Sequence, residues 1–155
     1  MQPSQVLFQG EALPRALPVC DHYAGTEVRM RKALALQAEL GPVFDITFDC
    51  EDGAPVGKEA EHAQLVADIL LSSDNRFNRV GVRIHDPSHS CWKADVATLI
   101  KQAGKKIAFV MIPKVVSATQ TQSIIDEINH VAKTANIGRV IPIQVLIETH
   151  GALQD

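Results

Sequence analysis

Along this chain, apolar runs of strand length alternate with segments whose apolar residues recur at helical spacing. The runs Ala16–Cys20, Val43–Asp49, Arg79–Ile84, Lys106–Ile112 and Val140–Ile147 are rich in Val, Ile and Phe, and mostly continuous rather than alternating. Continuity of that kind predicts parallel strands buried on both faces. The intervening segments carry stripes: Met30, Ala33, Leu34 and Ala38; Val96, Leu99, Ile100 and Ala103; Ile124, Ile128, Val131 and Ala132. Punctuation agrees with these predictions. Gly41-Pro42 ends the first helix and Gly104 the third, Ser90 is a candidate N-cap for the third, and Ser117 with Gln120 forms a capping box for the fourth.

The resulting strand–loop–helix unit is about 30 residues long, one eighth of a (β/α)8 barrel of about 250 residues. A doubly wound sheet shares the alternation, so periodicity alone leaves both open. Residues 1–15 read as an N-terminal extension, in which Val6–Gly10 is similar to a protease-recognition remnant without its flanking residues. The predicted barrel portion is 16–155. Its last strand ends near Ile147, eight residues before the chain does, so about five of the barrel's units are expected here.

Composition narrows the functional classes. With 155 residues, 46% of them hydrophobic, the chain can bury a real core. A net charge of −3 with 5% aromatic residues argues against a nucleic-acid or anionic-membrane surface. The longest unbroken apolar run, Ile107–Ile112, is far short of a bilayer span, and the N-terminus lacks a signal-peptide pattern. Cys20, Cys50 and Cys91 form no C-x-x-C pair, so a reduced cytoplasmic protein with buried thiols is expected.

Candidate chemistry is sought at the carboxyl ends of the strands, where parallel α/β folds place their ligands. Each predicted end delivers an ionisable group: Asp21-His22; Asp49, Glu51 and Asp52; Arg83, His85 and Asp86; Lys114; and Glu148 with His150. Three carboxylates within four residues (Asp49, Glu51, Asp52) repel one another unless a cation or a proton relieves them. The bland reading is a solvated turn capping the helix that begins near Lys58. Glu148, from another strand end, shifts the balance towards a hard-cation site for Mg²⁺ or Mn²⁺. Arg83, at the end of an apolar strand, needs an anionic partner, either that acid cluster or a substrate carboxylate. Lys114 is a candidate Schiff-base lysine or, with acids nearby, a residue that holds a carboxylate in place.

Other signals lead nowhere. Gly53–Glu59 imitates a phosphate-binding loop but is one residue short and has Glu where Ser or Thr must hold the metal. His85, His89 and Cys91 have zinc-like spacing without a second ligand group. His62 and His130 read as helix-surface residues, and Trp92 as packing beneath a loop.

Four segments together carry a family resemblance. FDCEDGAPVGKEAEHA (Phe48–Ala63), GVRIHDPSHSCWKADV (Gly81–Val96), MIPKV (Met111–Val115) and VLIETHGAL (Val145–Leu153) occur in the order and at the spacing of corresponding motifs in the citrate lyase beta-subunit and malyl-CoA lyase family. The chain resembles the N-terminal portion of that family, part of the HpcH/HpaI aldolase superfamily. The resemblance implies a TIM (β/α)8 barrel and a Mg²⁺-dependent carbon–carbon lyase acting on malyl-, citramalyl- or citryl-CoA thioesters, releasing an α-keto acid. By position, Glu148 would ligate Mg²⁺ directly and Arg83 would contact the substrate's oxygens. Asp49, Glu51 and Asp52 would line the metal site, with Lys114 and His85 beside the substrate. The family's second direct ligand, an Asp, falls beyond residue 155, so this chain alone is expected to be inactive. Homo-oligomers, often trimers, are also implied. Three positions depart from the pattern: His85 replaces Asn, Cys50 replaces Leu, and Val116 stands where many relatives have Glu. The alternatives are a metal-dependent aldolase acting on free hydroxy-keto acids and a non-catalytic ligand-binding subunit.

Overall fold

The computed structural model describes residues 20–155. The extension 1–15 and most of the predicted strand Ala16–Cys20 lie outside the described residues. Five strands alternate with helices: β1 (Asp21–Ala24), α1 (Glu27–Leu40), β2 (Asp45–Asp49), α2 (Glu59–Leu71), β3 (Val80–Arg83), α3 (Trp92–Ala103), β4 (Ile107–Ile112), α4 (Ala118–Thr134), β5 (Ile143–Val145) and α5 (His150–Gln154). The strands form one parallel sheet in the order β1-β2-β3-β4-β5. Doubly wound sheets reverse direction part-way across; this order never reverses, as in consecutive units of a (β/α)8 barrel. Right-handed crossovers then carry the helices to one side.

The two faces of the sheet differ. On one, Ala24, Phe48, Val82, Val110 and Ile143 share rungs and pack in one cluster with Leu34, Val66, Leu99 and Ile128 of the helices. On the other, Tyr23, Thr47 and Gly81 share one rung, and Asp49, Arg83, Met111 and Gln144 the next. The expected uniformly apolar strands are therefore corrected: one face is aliphatic, while the other becomes polar towards the carboxyl edge. Gly81 sits on the second face because the Phe109 ring fills the space a side chain would need; a Cβ there would lie 2.1 Å from it.

Helix ends follow local chemistry. Gly41 ends α1 with φ +82°, a conformation L side chains rarely adopt. The Ser117 hydroxyl accepts from the Gln120 N–H at 3.1 Å, and the Gln120 side chain accepts from the Val116 N–H at 2.9 Å, one residue earlier than the usual reciprocal bond. Ser90 is not the N-cap of α3. Cys91 takes that place, and the buried Asp95 inside the first turn supplies the negative charge.

Candidate active site

At the carboxyl edge of the sheet, β2 ends in Asp49 and β3 in Arg83, which are direct neighbours in register. Arg83 donates from Nε to Asp49 Oδ1 at 2.8 Å and from Nη2 to Asp49 Oδ2 at 2.7 Å, a bidentate pair. The same Nη2 donates to Asp52 Oδ2 at 2.9 Å, and Nη1 lies 2.8 Å from Glu51 Oε2. The repulsion expected among the three carboxylates is thus relieved by this guanidinium. Burial works against its charge, but the Asp49 hydrogen bonds and the surrounding carboxylates outweigh that and raise the Arg83 pKa. Asp49 and Glu51 have side chains only 8% and 5% exposed, whereas that of Asp52 is 71% exposed. Asp52 is the member that solvent can replace.

Two further residues brace this arrangement. The Tyr23 ring lies 5.3 Å from the Arg83 guanidinium carbon, a cation–π contact, and its hydroxyl donates to Met111 Sδ at 2.8 Å. His62 is buried, with Nε2 2.9 Å from the Asp49 carbonyl oxygen. The surface position predicted for His62 is therefore wrong. A stripe of Val66, Ile69 and Leu70 on the same helix placed His62 on the buried face at i−4 and i−7, a signal available in the sequence.

Lys114 links the acid loop to β5. Its ammonium lies 2.7 Å from Glu51 Oε1, and its backbone N–H donates to Glu148 Oε1 at 2.8 Å. The Glu51 carboxylate beside it raises the Lys114 pKa above its ordinary value. A left-handed backbone at Lys114 (φ 49°) permits both contacts from one residue. Glu148 itself is exposed. His85 is buried and faces elsewhere: its Nδ1 is 2.6 Å from Asp95 Oδ2, which also accepts from the His85 N–H at 2.9 Å. Its ring stacks on His89 at 4.3 Å. Asp95, like Tyr23, was not singled out in the sequence, although it precedes Leu99 by one helical turn.

The first strand end is also corrected. Asp21 and His22 open β1 rather than follow it, so they lie at the amino edge, where Asp21 accepts from the Thr47 hydroxyl at 2.7 Å. Tyr23 and Ala24 occupy the carboxyl end instead. Among the thiols only Cys50 is buried; Cys20 is exposed and Cys91 half-buried. His130 is exposed, as expected, and Trp92 packs partly buried against the core.

Among the described residues, no group of three or more His, Cys, Asp or Glu side chains is arranged to enclose a metal ion. Both Glu51 carboxylate oxygens are buried without an aligned hydrogen-bond donor, held to Lys114 and Arg83 by charge and proximity. The exposed Glu148 has engaged only Oε1. These hard oxygens fit a Mg²⁺ held by one protein carboxylate and retained waters, and do not fit one caged by the acid loop, whose charges are already matched.

No protein-family model and no curated protein sequence matches the chain. Solved structures do. A citrate lyase from Burkholderia xenovorans LB400 is 49% identical and superposes with a TM-score of 0.87, covering 92% of this chain and 44% of that one. The citrate lyase beta subunit of Mycobacterium tuberculosis, complexed with oxaloacetate and magnesium, is 20% identical with a TM-score of 0.59, covering 88% and 50%. A structure of the same organism's CitE, with magnesium and acetoacetate, is 21% identical with a TM-score of 0.58, covering 88% and 47%. At those lower identities the likeness is one of fold. The chain spans about half the length of each of these structures. Its structural neighbours are thus citrate lyase beta-subunit family proteins.

Proposed function

We propose that the full-length protein is a Mg²⁺-dependent carbon–carbon lyase that cleaves a 3-hydroxyacyl thioester to an acyl thioester and an α-keto acid. The observation that carries this reading is the bridge made by Lys114. One residue fastens the acid loop after β2 and Glu148 after β5 into a single mouth that also holds Arg83. The 49% identity to a citrate lyase supports it, as do the magnesium and keto-acid complexes of the more distant neighbours. Malyl-, citramalyl- and citryl-CoA are the substrate types this reading implies.

Cleavage withdraws the 3-hydroxyl proton and breaks the bond between the α- and β-carbons. That bond's electrons pass into the thioester as an enolate, which takes a proton on carbon. Negative charge develops on oxygen throughout, and the chain's residues are arranged to receive it. Glu148 would hold Mg²⁺ (or Mn²⁺), which supplies Lewis acidity and a template for the keto acid's oxygens. Arg83 spends its bidentate fork on Asp49, leaving Nη1 as the nitrogen with an N–H to spare. An incoming oxygen meets that N–H or displaces the exposed Asp52. Asp49 and Glu51 fix the guanidinium, and Lys114 fixes Glu51. In this reading the buried His85 supports the Asp86–Ser88 segment beside the substrate.

The test is Mg²⁺-dependent release of glyoxylate, pyruvate or oxaloacetate from hydroxyacyl-CoAs by the full-length protein, with Arg83→Ala and Glu148→Ala for comparison. Loss of turnover in both variants is expected, and unchanged turnover in both overturns the assignment. Cleavage of free hydroxy-keto acids but not of thioesters would replace it with an aldolase. The 155-residue chain by itself is expected to be inactive. A cytoplasmic homo-oligomer completes the proposal; among the described residues, no helix is long and apolar enough to cross a membrane.

A further inference from the structure

The loop between β3 and α3, residues 84–91, presents Asp86, Pro87 and Ser88 to a cavity of about 490 Å³ that Lys114 and Glu148 also line. Two imidazoles fasten this loop from behind. The buried Asp95 of α3 accepts from the His85 N–H at 2.9 Å and lies 2.6 Å from His85 Nδ1. The His89 ring stacks on His85, with centroids 4.3 Å apart and planes 17° from parallel. His89 in turn closes the cavity-lining turn: its N–H donates to the Asp86 carbonyl at 2.9 Å, and its Nδ1 accepts from the Cys91 N–H at 3.2 Å. That last bond fixes the protonation of His89. A backbone N–H can only donate, so Nδ1 carries a lone pair and the ring is neutral. A proton on Nδ1 would set two hydrogens against each other, and an imidazolium must turn out of the bond.

We propose that His85 and His89 form a proton-released latch: neutral His89 holds the Asp86–Ser88 turn on the cavity wall, and its protonation frees that turn. The charged and titratable groups facing the pair are Asp95 from α3, Asp86 in the loop itself and Glu59 in the first turn of α2, with the Cys50 thiol just past β2 near Asp95. The three carboxylates draw a proton towards the pair. What keeps it off His89 Nδ1 in the latched loop is the Cys91 N–H. The open loop therefore holds one proton more than the latched one, so falling pH favours opening and rising pH favours the latch. An imidazole places that change between about pH 5 and 8. Every group of the latch lies in the second or third strand–helix unit, and both units have their neighbours in the sheet.

The experiment is hydrogen–deuterium exchange of the full-length protein, read by mass spectrometry on peptides covering residues 84–91. It compares about pH 5.5 with about pH 7.5, after correction for the chemical pH dependence of exchange. The parent loop is expected to exchange at least about fivefold faster at the lower pH, while the α2 peptides stay unchanged. His89→Asn keeps an acceptor near the Nδ1 position but cannot take the proton, and its loop is expected to differ by less than about twofold between the two pH values. His89→Phe, a flat ring that neither accepts nor titrates, is the second variant should the first fail to fold, and its loop is expected to exchange alike at both. A parent loop whose corrected exchange ignores pH, or a folded variant that keeps the fivefold response, overturns the latch. The readout needs no turnover, so failure of the lyase reading leaves the latch standing, and failure of the latch leaves the lyase reading standing.

Discussion

Asp49 and Arg83 face each other across adjacent strands and share two parallel hydrogen bonds of 2.8 and 2.7 Å, with side chains only 8% and 12% exposed. Removing the arginine leaves Asp49 buried without its countercharge, while Glu51 keeps Lys114. Arg83→Met should therefore cost about 3–5 kcal/mol at neutral pH by urea unfolding. A urea midpoint unmoved by Arg83→Met would mean that Asp49 does not depend on Arg83.

His62 should matter more than its place on a helix suggests. His62→Ala leaves the Asp49 carbonyl without its 2.9 Å partner and opens space beneath the acid loop, costing about 1–3 kcal/mol. His62→Gln, which can still donate, should recover part of this. Equal melting of both variants with the parent would remove His62 from the site's support.

Thiol reactivity offers a test of burial. Burial first, then the charges of Asp95 and Asp49, push the Cys50 thiol well above its ordinary value of 9.0. Because the folded protein favours the protonated thiol, Cys50 should resist alkylation throughout the range from neutral pH up to that ordinary value. Exposed Cys20 should react first and Cys91 more slowly. Peptide mass spectrometry after timed iodoacetamide treatment reads the order, and early Cys50 labelling contradicts it.

Gly53 lies where two loop backbones touch. A Cβ there would come within 2.3 Å of the Asp49 carbonyl oxygen and 2.6 Å of Gly25 Cα. Gly53→Ala should displace the acid loop, destabilise by about 1–3 kcal/mol and weaken keto-acid binding. Gly57→Ala (φ +80°, no neighbour within 4 Å) should cost only about 1 kcal/mol through backbone strain and leave binding intact. Calorimetry on both variants separates a loop moved from a loop merely strained.

Much of this was legible in the sequence because β2, β3 and β4 are apolar enough to announce themselves. β1 was not: its residues Asp21, His22 and Tyr23 alternate between polar and aromatic at the edge of the sheet, and that reads as a loop. Strand-end spacing brought Asp49, Glu51, Asp52, Arg83, Lys114 and Glu148 to one edge, and the register joins them there. What spacing could not convey is who satisfies whom. That the acid loop closes on Arg83 depends on rotamers and on a left-handed Lys114 backbone, neither of which leaves a periodic trace.

The unreversed strand order carries a kinetic consequence. Each strand–helix unit leans on the units immediately before and after it in the chain, so every strand pairing closes a loop of one such unit and none spans the sheet. Assembly can then spread from any formed pair to its neighbour by closing one such loop at a time. The mouth is different. It needs β2, β3, β4 and β5 together, because its charges come from all of them. Ordering of those side chains is thus the last event that the sheet can report.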